Sequence, residues 1–385
     1  MNKRTIIGIV LIIAIILLTP IYQKWVVGTI SEPESGKDTL SVSKPSLVGS
    51  ADTIPRVHTI TEPETSFAEV DTSDAQIDYT DSTQAKIPIK EILVFSDKFT
   101  IRLSTLGGDV KSIKLHDIYD SRGDEVELVP NLVGGPNCEF HATSSAGEIS
   151  TAGVRFTADR DTIKLDENNS TDAVTMVGMT ANGTMIQLRY EFENGTYHFR
   201  HSIFVALRDS TGMMDDALLW WKSGLAPTES NLSWDLREFS ASYRFGDDVD
   251  KLKPSKKRPT FALDGSADWI GARSKYFAVI LMPDKILSAN GVRINTIWHR
   301  EPDFEKEIPV IQVALYHRVG QSLFSASHLI YAGPRDYFIL KPYGRNLKAI
   351  VDLGWWWLAP ISQFLLWLLR MIYSVIPNYG WVIVV

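Results

Sequence analysis

Eight histidines and one cysteine are the residues of this 385-residue sequence best suited to acid–base, nucleophilic or metal chemistry. His198 and His201 are three residues apart, and on a β-strand that spacing directs two side chains to opposite faces, which does not favour a metal site. Cys138 belongs to no recognisable Cys/His/Asn pattern, so we expect a small, buried, apolar residue. The remaining histidines are isolated in the sequence, and each is expected to be structural or solvated: His58, His116, His141, His299, His317 and His328.

Motifs for phosphate binding, zinc binding or a serine nucleophile are missing from the sequence. The net charge of −7 argues against nucleic acid as a partner. A single cysteine excludes an internal disulfide, and a mean hydropathy of −0.04 argues against a chain made mostly of membrane spans. The sequence therefore predicts neither a catalytic nor a metal centre.

Residues 5–25 predict a transmembrane anchor, because the Ile- and Leu-rich run from Thr5 to Gln23 is uncharged and is close to the length that crosses about 30 Å of hydrocarbon as a helix. A basic head, residues 1–4, precedes the run and acidic sequence follows it, so the positive-inside rule places the N-terminus in the cytoplasm. Tyr22 and Trp25 are expected at the outer membrane interface. A cleaved signal peptide is the alternative, although its apolar region is usually about 7–15 residues long.

Residues 26–90 predict a disordered tether. The stretch is rich in Ser, Thr, Pro, Asp and Glu and poor in aromatic residues. Such a composition cannot bury enough apolar surface to offset the conformational entropy lost on folding.

Residues 91–334 have the alternating pattern of a large antiparallel β domain. Asn182-Gly183 and Asn194-Gly195 separate alternating runs between Thr175 and Leu207, which predicts a three-stranded meander with tight turns. No long helical period occurs between Glu91 and Ile330, and frequent turn residues without β–α alternation favour a sandwich.

The C-terminal part predicts helices at a membrane. Residues 335–353 are expected to be helical, with a break near Pro342-Tyr343-Gly344, and residues 354–377 to form an amphipathic helix at the membrane surface. A true membrane span and a buried core helix remain alternatives for 354–377. Residues 378–385 are interpreted as the truncated start of a second span, because five apolar residues cannot cross a bilayer. The expected interface residues are Trp355, Trp356, Trp357, Trp367, Arg370 and Trp381.

The run from Lys251 to Arg258 is basic. A solvated hairpin tip is one interpretation, and contact with anionic lipid or with acidic groups of a partner is the other.

Several motifs in this order resemble the YidC/Oxa/Alb family of bacterial membrane protein insertases, in the long form of Gram-negative bacteria. They are a Trp-Ile strand followed by Lys-Tyr-Phe, a Tyr-x-Gly-Pro strand end, and an Asp-x-Gly-Trp stretch leading to Asn-x-Gly. Trp221 to Leu225 is a weaker match to a family strand. The residues that carry the resemblance are Trp269, Lys275, Tyr276, Phe277, Gly333, Pro334, Asp352, Gly354, Pro360, Asn378 and Gly380.

This resemblance implies a periplasmic β-supersandwich in a protein of the bacterial inner membrane. It implies that the whole protein inserts and folds membrane proteins, with nascent membrane proteins, Sec translocon components and the lipid bilayer as partners. It implies no covalent catalysis and no cofactor. The family's membrane groove and its arginine would lie beyond Val385.

Two other hypotheses remain open from the sequence. One is a membrane-tethered periplasmic binding or chaperone domain that ends near Val385. The other is a sugar-binding, mutarotase-like sandwich, which would need a cleft with a convergent His and Glu.

Overall fold

The computed structural model describes residues 87–130, 132, 134–145, 147–284, 289–300 and 307–351, together with the helical residues 362, 364, 365, 367–369, 371 and 372. All of them belong to the second of the two units into which the chain divides, Ala75–Val385. None of the helices in these ranges has both the length and the hydropathy that a membrane crossing requires. The predicted anchor at 5–25 lies outside the described residues.

Strands dominate the described part of the chain, which confirms the mainly β prediction. The strands are β1 (Glu91–Phe95), β2 (Phe99–Ser104), β3 (Asp109–Tyr119), β4 (Glu125–Glu127), β5 (Cys138–Ser144), β6 (Gly147–Ser150), β7 (Thr157–Ala158), β8 (Thr162–Lys164), β9 (Thr171–Met179), β10 (Met185–Glu193), β11 (His198–Ala206), β12 (Met214–Trp221), β13 (Ser240–Phe245), β14 (Asp248–Leu252), β15 (Thr260–Asp264), β16 (Ala267–Arg273), β17 (Phe277–Pro283), β18 (Gly291–His299), β19 (Ile308–Gln321) and β20 (Leu323–Pro334). A single helical turn, α1 (Leu232–Asp235), lies between β12 and β13.

These strands form three sheets among the described residues. The largest has the order β14-β13-β16-β17-β20-β11-β10-β9-β7, the second β15-β18-β19-β12-β5-β6, and the third β4-β3-β2-β1-β8. Strands β16 and β17 of the first sheet contact β19 of the second across the interior, as in a sandwich. One buried apolar cluster draws residues from all three sheets.

The predicted meander is confirmed, because β9, β10 and β11 pair as antiparallel neighbours in the largest sheet. Gly183 (φ +84°) and Gly195 (φ +79°) take the left-handed conformation in its two turns. Asn182 and Asn194 do not, so each turn uses one left-handed residue rather than the two of the tightest hairpin.

Two details differ from the sequence predictions. The sheets are not wholly antiparallel, because β1 and β8 pair in parallel. The basic run is not a hairpin tip, because β14 pairs with β13 whereas β15 pairs with β18 in another sheet. Residues 253–259 therefore connect two sheets, a long-range arrangement that local alternation cannot distinguish from a hairpin.

The strands at the centre of the largest sheet are apolar on both faces. All seven residues of β17 are buried. Val279 and Leu281 face the main core, while Ala278, Ile280 and Met282 belong to a second apolar cluster on the outer face. A strand of this kind needs a layer on each side of the sheet.

Three histidines that are distant in sequence meet in the core. His201 on β11 and His328 on β20 are cross-strand partners. The Nε2 atom of His328 is 3.0 Å from Nε2 of His317, which belongs to the facing sheet. Burial lowers the pKa of His201 from 6.5 to about 4 and holds the pKa of His328 well below its usual range. Within the described ranges, no group of three or more His, Cys, Asp or Glu has an arrangement that could hold a metal ion.

Cys138 is 3% exposed, as expected from the sequence. Burial raises the pKa of its thiol to about 12. Because the thiolate is the nucleophile, this side chain is chemically inert in the folded protein.

The buried histidines predict a loss of stability in mild acid. In the unfolded chain His201 binds a proton near pH 6.5, whereas in the folded chain it does so only near pH 4. The contribution to stability is therefore complete above pH 6.5 and falls by about 3 kcal/mol as the pH drops towards 4. Urea unfolding of the full chain in detergent micelles, followed by near-ultraviolet circular dichroism, measures this fall.

His201→Gln is the matched variant, because glutamine is polar and of similar size but does not titrate in this range. Its free energy of unfolding should fall less between pH 6.5 and 4 than that of the parent chain. Equal slopes for the two proteins would contradict a role for His201.

Candidate functional site

Residues 335–351, the covering segment, lie on the outer face of the largest sheet. They contain the short helix α2 (Tyr337–Leu340) and two 3₁₀ turns, Lys341–Tyr343 and Leu347–Ile350. Asp336 caps α2, since its carboxylate accepts from the backbone N–H groups of Phe338 and Ile339.

The covering segment is held first by apolar packing. Its buried Leu340, Leu347 and Ile350 contact a cluster on β16, β17 and β20 that includes Trp269 and Tyr331. Each of these aliphatic side chains stabilises the contact by about 1.5–3 kcal/mol on burial. The hydroxyl of Tyr343 and Nδ1 of His198 add a hydrogen bond of 2.8 Å.

A second attachment centres on Arg345. Its carbonyl accepts from Trp269 Nε1 at 2.9 Å, and its guanidinium donates to the carbonyls of Pro283 (2.5 Å) and Asp284 (2.9 Å). Arg345 has φ +43°, a left-handed conformation that costs about 1–3 kcal/mol in a residue with a Cβ. The hydrogen bonds of Arg345 to Trp269, Pro283 and Asp284 offset the cost of this backbone conformation.

A third attachment is the buried Arg273 at the end of β16. Only 1% of it is exposed. Its Nη1 donates to the carbonyl of Ile350 at 2.6 Å, its Nε donates to Ser240 Oγ at 2.8 Å, and Glu238 lies 3.7 Å away. The last turn of the covering segment is thereby fixed to the end of the sheet where β16 turns into β17.

A groove of about 530 Å³ opens at this same end, which we call the β16–β17 end. Lys275 forms a 3.0 Å ion pair with Glu229 and lies over the ring of Tyr276, 4.7 Å from its centroid. Hydrogen bonds to Tyr276 and to Glu229 raise the pKa of Lys275, so the amine stays charged. The backbone N–H of Arg335 donates to the Tyr276 carbonyl at 2.6 Å and joins the turn to the start of the covering segment.

Asp235 of α1 supports the groove from beneath. It is 0% exposed, and its Oδ2 accepts from the N–H groups of Thr228 (2.8 Å) and Glu229 (3.3 Å). Burial raises the pKa of this carboxyl, and the backbone hydrogen bonds act in the opposite direction.

Six of the sequence-predicted motif residues meet in this region. Phe277 is the cross-strand partner of Pro334, and Gly333 is the partner of Ala278. Position 333 requires glycine because Tyr197 packs closely against its backbone. A Cβ there would lie 2.8 Å from the Cβ and Cγ of Tyr197. Lys275 and Tyr276 line the groove, while Trp269 lies under the covering segment.

The other predicted site residues do not lie in this region of the described structure. Trp367 lies on the described helical residues and is 53% exposed, and its ring centroid is 5.9 Å from that of Phe364, which is 57% exposed. The remainder lie outside the described residues: Tyr22, Trp25, Trp355, Trp356, Trp357, Arg370 and Trp381 of the interface set, and Asp352, Gly354, Pro360, Asn378 and Gly380 of the motif set.

The sequence patterns did not indicate Arg273, Arg345 or Glu229 as site residues. Arg273 stands inside the quoted Trp-Ile motif, so an arginine amid apolar strand residues could have indicated a buried partner. The partners of Arg345 and Glu229 are distant in sequence, and no local pattern indicates them. Of Trp221 to Leu225, only Trp221 lies on a strand.

Comparisons with known proteins agree with these motifs. The model of the YidC periplasmic domain family matches residues 91–368. The membrane protein insertase YidC of Prosthecochloris aestuarii is 28% identical over 306 residues, covering 77% of this chain and 51% of that protein. The membrane protein insertase YidC of Chlorobaculum tepidum is 26% identical over 304 residues, covering 77% of this chain and 50% of that protein. The chain thus spans about half the length of these curated relatives.

Among solved structures, a galactose mutarotase related enzyme from Lactobacillus acidophilus is 9% identical, with a TM-score of 0.40. The similarity covers 63% of this chain and 97% of that enzyme. A similarity of this size says nothing about activity.

Gly333→Ala should destabilise the contact between β20 and the covering segment. The new methyl group displaces Tyr197, which packs against the same outer cluster as Leu340 and Ile350. We expect a loss of about 1–3 kcal/mol in the free energy of unfolding and faster proteolysis within residues 335–351. Urea unfolding and limited proteolysis of the full chain measure the two effects.

Gly153→Ala is the control, because a Cβ at Gly153 would meet no atom within 4 Å. It should leave both measurements unchanged. Equal stability and equal proteolysis of the two variants would show that Tyr197 yields without disturbing the covering segment.

Proposed function

Because the chain belongs to the YidC periplasmic domain family, we propose that it forms the periplasmic module of a membrane protein insertase. In this proposal the module stands on the outer side of a bacterial inner membrane, and its N-terminus is cytoplasmic. The two curated relatives named as membrane protein insertases support this assignment.

The observation that carries the proposal is the fixed course of the covering segment. Three hydrogen bonds attach it to the sheet. Trp269 donates to the carbonyl of Arg345, Arg273 donates to the carbonyl of Ile350, and Arg345 donates to the carbonyl of Pro283. The next part of the chain is the Trp-rich stretch 354–377, for which the sequence predicts a position at a membrane surface. A segment fixed in this way would determine where the β domain stands relative to the bilayer.

We infer an interfacial position for the helix within 354–377. Phe364, Leu365 and Trp367 are each at least 50% exposed, and apolar side chains exposed together on one helix favour a lipid surface. From the sequence, a helical spacing of about 100° per residue predicts that Gln363, Arg370 and Ser374 share one polar face and that Leu365 lies on the opposite face.

The proposed substrates are nascent membrane proteins, and the proposed partners are the lipid bilayer and Sec translocon components. The proposed role involves no covalent catalysis. Binding of the vesicle-reconstituted chain to purified translocon would test the Sec contact, and undetectable binding at micromolar concentrations would remove it.

Single cysteines in this helix test its position. In sealed vesicles a membrane-impermeant maleimide should label Arg370→Cys at least about tenfold faster than Leu365→Cys, because only the polar face meets water. Detergent should make the two rates similar. Cys138 needs no replacement, because its buried thiol does not compete.

Protection of both positions in sealed vesicles would instead indicate a membrane-spanning helix. Rapid labelling of both would place the helix away from the bilayer and would count against the proposed module.

A further inference from the structure

Three of the most exposed aromatic side chains of the β domain lie together at the β16–β17 end. Tyr119 is 61% exposed, Trp234 62% and Tyr276 47%. Tyr119 and Tyr276 line the groove at this end. Trp234 precedes Asp235, whose carboxylate binds the backbone of groove residues Thr228 and Glu229.

Exposed cations lie at the same end. Leu252 at the end of β14 pairs with Ala241, which pairs with Ala272 near the end of β16, so the basic connection begins beside the β16–β17 turn. Lys253 Nζ donates to the carbonyl of Arg237 at 3.1 Å, which places the first residue of the connection next to α1. The backbone N–H of Thr296 donates to the carbonyl of Pro259 at 2.7 Å, so the connection ends beside β18.

Only part of the charge of these cations is cancelled by ion pairs. Lys256 pairs with Glu307 and Lys275 with Glu229. Arg237, Lys257 and Arg258 are exposed, and within the described residues they form no ion pair. We call Tyr119, Trp234 and Tyr276 with Arg237, Lys253, Lys257 and Arg258 the aromatic-basic surface. The carboxylates that line the groove are engaged, because Asp120 pairs with Arg122, Glu229 pairs with Lys275 and Asp336 caps α2. The four basic side chains therefore add positive charge to this surface, on a chain whose net charge is −7.

The aromatic-basic surface adjoins the point where the chain leaves the domain. Arg273, at the end of β16, binds the carbonyl of Ile350 in the last turn of the covering segment. The sequence beyond it contains Trp355, Trp356 and Trp357. Tryptophan and tyrosine side by side with lysine and arginine are the residue types that occupy the interface of a bilayer.

We propose that the aromatic-basic surface rests on the headgroups of an anionic bilayer, so that the β domain itself contacts lipid. The inference depends on the proposed membrane placement and extends it from the helix within 354–377 to the folded domain. Basic side chains attract anionic headgroups within about one Debye length, and the tyrosine and tryptophan rings fit the apolar–polar boundary. The predicted consequence is a contact that weakens in neutral lipid and in high salt.

The chain also offers a competing occupant. The stretch from Glu62 to Asp81 carries seven carboxylates, Glu62, Glu64, Glu69, Asp71, Asp74, Asp78 and Asp81, and no Lys or Arg. Charge alone would allow it to cover the same surface, so the test must separate this segment from lipid.

The experiment places an environment-sensitive fluorophore on Trp234→Cys in the full chain, reconstituted into phosphatidylcholine vesicles with or without about 30 mol% phosphatidylglycerol. Leu323→Cys is the matched control. It is 51% exposed and lies at the opposite end of β20, about 35 Å from Pro334. The buried Cys138 does not react with the label.

We expect the probe at 234 to brighten several-fold and shift to the blue in anionic vesicles only. The change should be lost as salt rises from about 0.1 M to about 1 M, where the Debye length falls from about 10 Å to about 3 Å. The combined substitution Lys257→Gln and Arg258→Gln should reduce the change by at least about half, while the probe at 323 stays constant throughout.

Other outcomes overturn the proposal in distinguishable ways. A chain that floats with the vesicles while the probe at 234 stays unresponsive would refute the lipid contact and leave the membrane placement intact. A chain that does not float would refute the placement itself. A response that persists without lipid and disappears when the carboxylates of Glu62 to Asp81 are neutralised would assign the surface to that acidic segment.

Discussion

Burial of both faces of the central strands is the constraint on which the rest of this structure depends. Strand β17 has no exposed residue, and its outward-facing Ala278, Ile280 and Met282 would meet water without the covering segment. A strand that is apolar on both sides requires a layer on each side, and the second layer here is built from residues that follow the last strand. The same burial that stabilises the sheet therefore fixes the course of the chain after Pro334.

Hydrogen bonds refine what apolar packing alone would leave adjustable. Short helical turns have few backbone hydrogen bonds of their own, so the covering segment needs outside partners for its carbonyl groups. The side chain of Trp269 donates to the carbonyl of Arg345, and that of Arg273 donates to the carbonyl of Ile350. The guanidinium of Arg345 in turn donates to the carbonyl of Pro283 at the end of β17. These bonds join the C-terminal half of the covering segment to Trp269 and Arg273 of β16 and to the end of β17.

The side chains best suited to acid–base or nucleophilic chemistry are buried in the core. His201, His317 and His328 lie between two sheets, where burial keeps His201 and His328 uncharged near neutral pH, and Cys138 lies beside Tyr190 in the same interior. The distinctive surface chemistry lies instead at the β16–β17 end, in exposed rings and in cations that have no ion-pair partner within the described part of the chain. Exposed aromatic rings beside basic side chains are typical of surfaces that contact a partner or a bilayer.

The sequence alone determined the strand character of residues 91–334, the meander at Asn182-Gly183 and Asn194-Gly195, the burial of Cys138 and the family resemblance, because alternation, turn residues and motifs are local properties. Only the tertiary structure decided that β1 pairs in parallel with β8, that the basic run joins two sheets, and that His201 meets His317 and His328. It also decided that Arg273 donates a hydrogen bond to the carbonyl of Ile350, a residue far along the chain. Such pairings depend on which strands become neighbours, and local periodicity carries no information about contacts between segments distant in sequence.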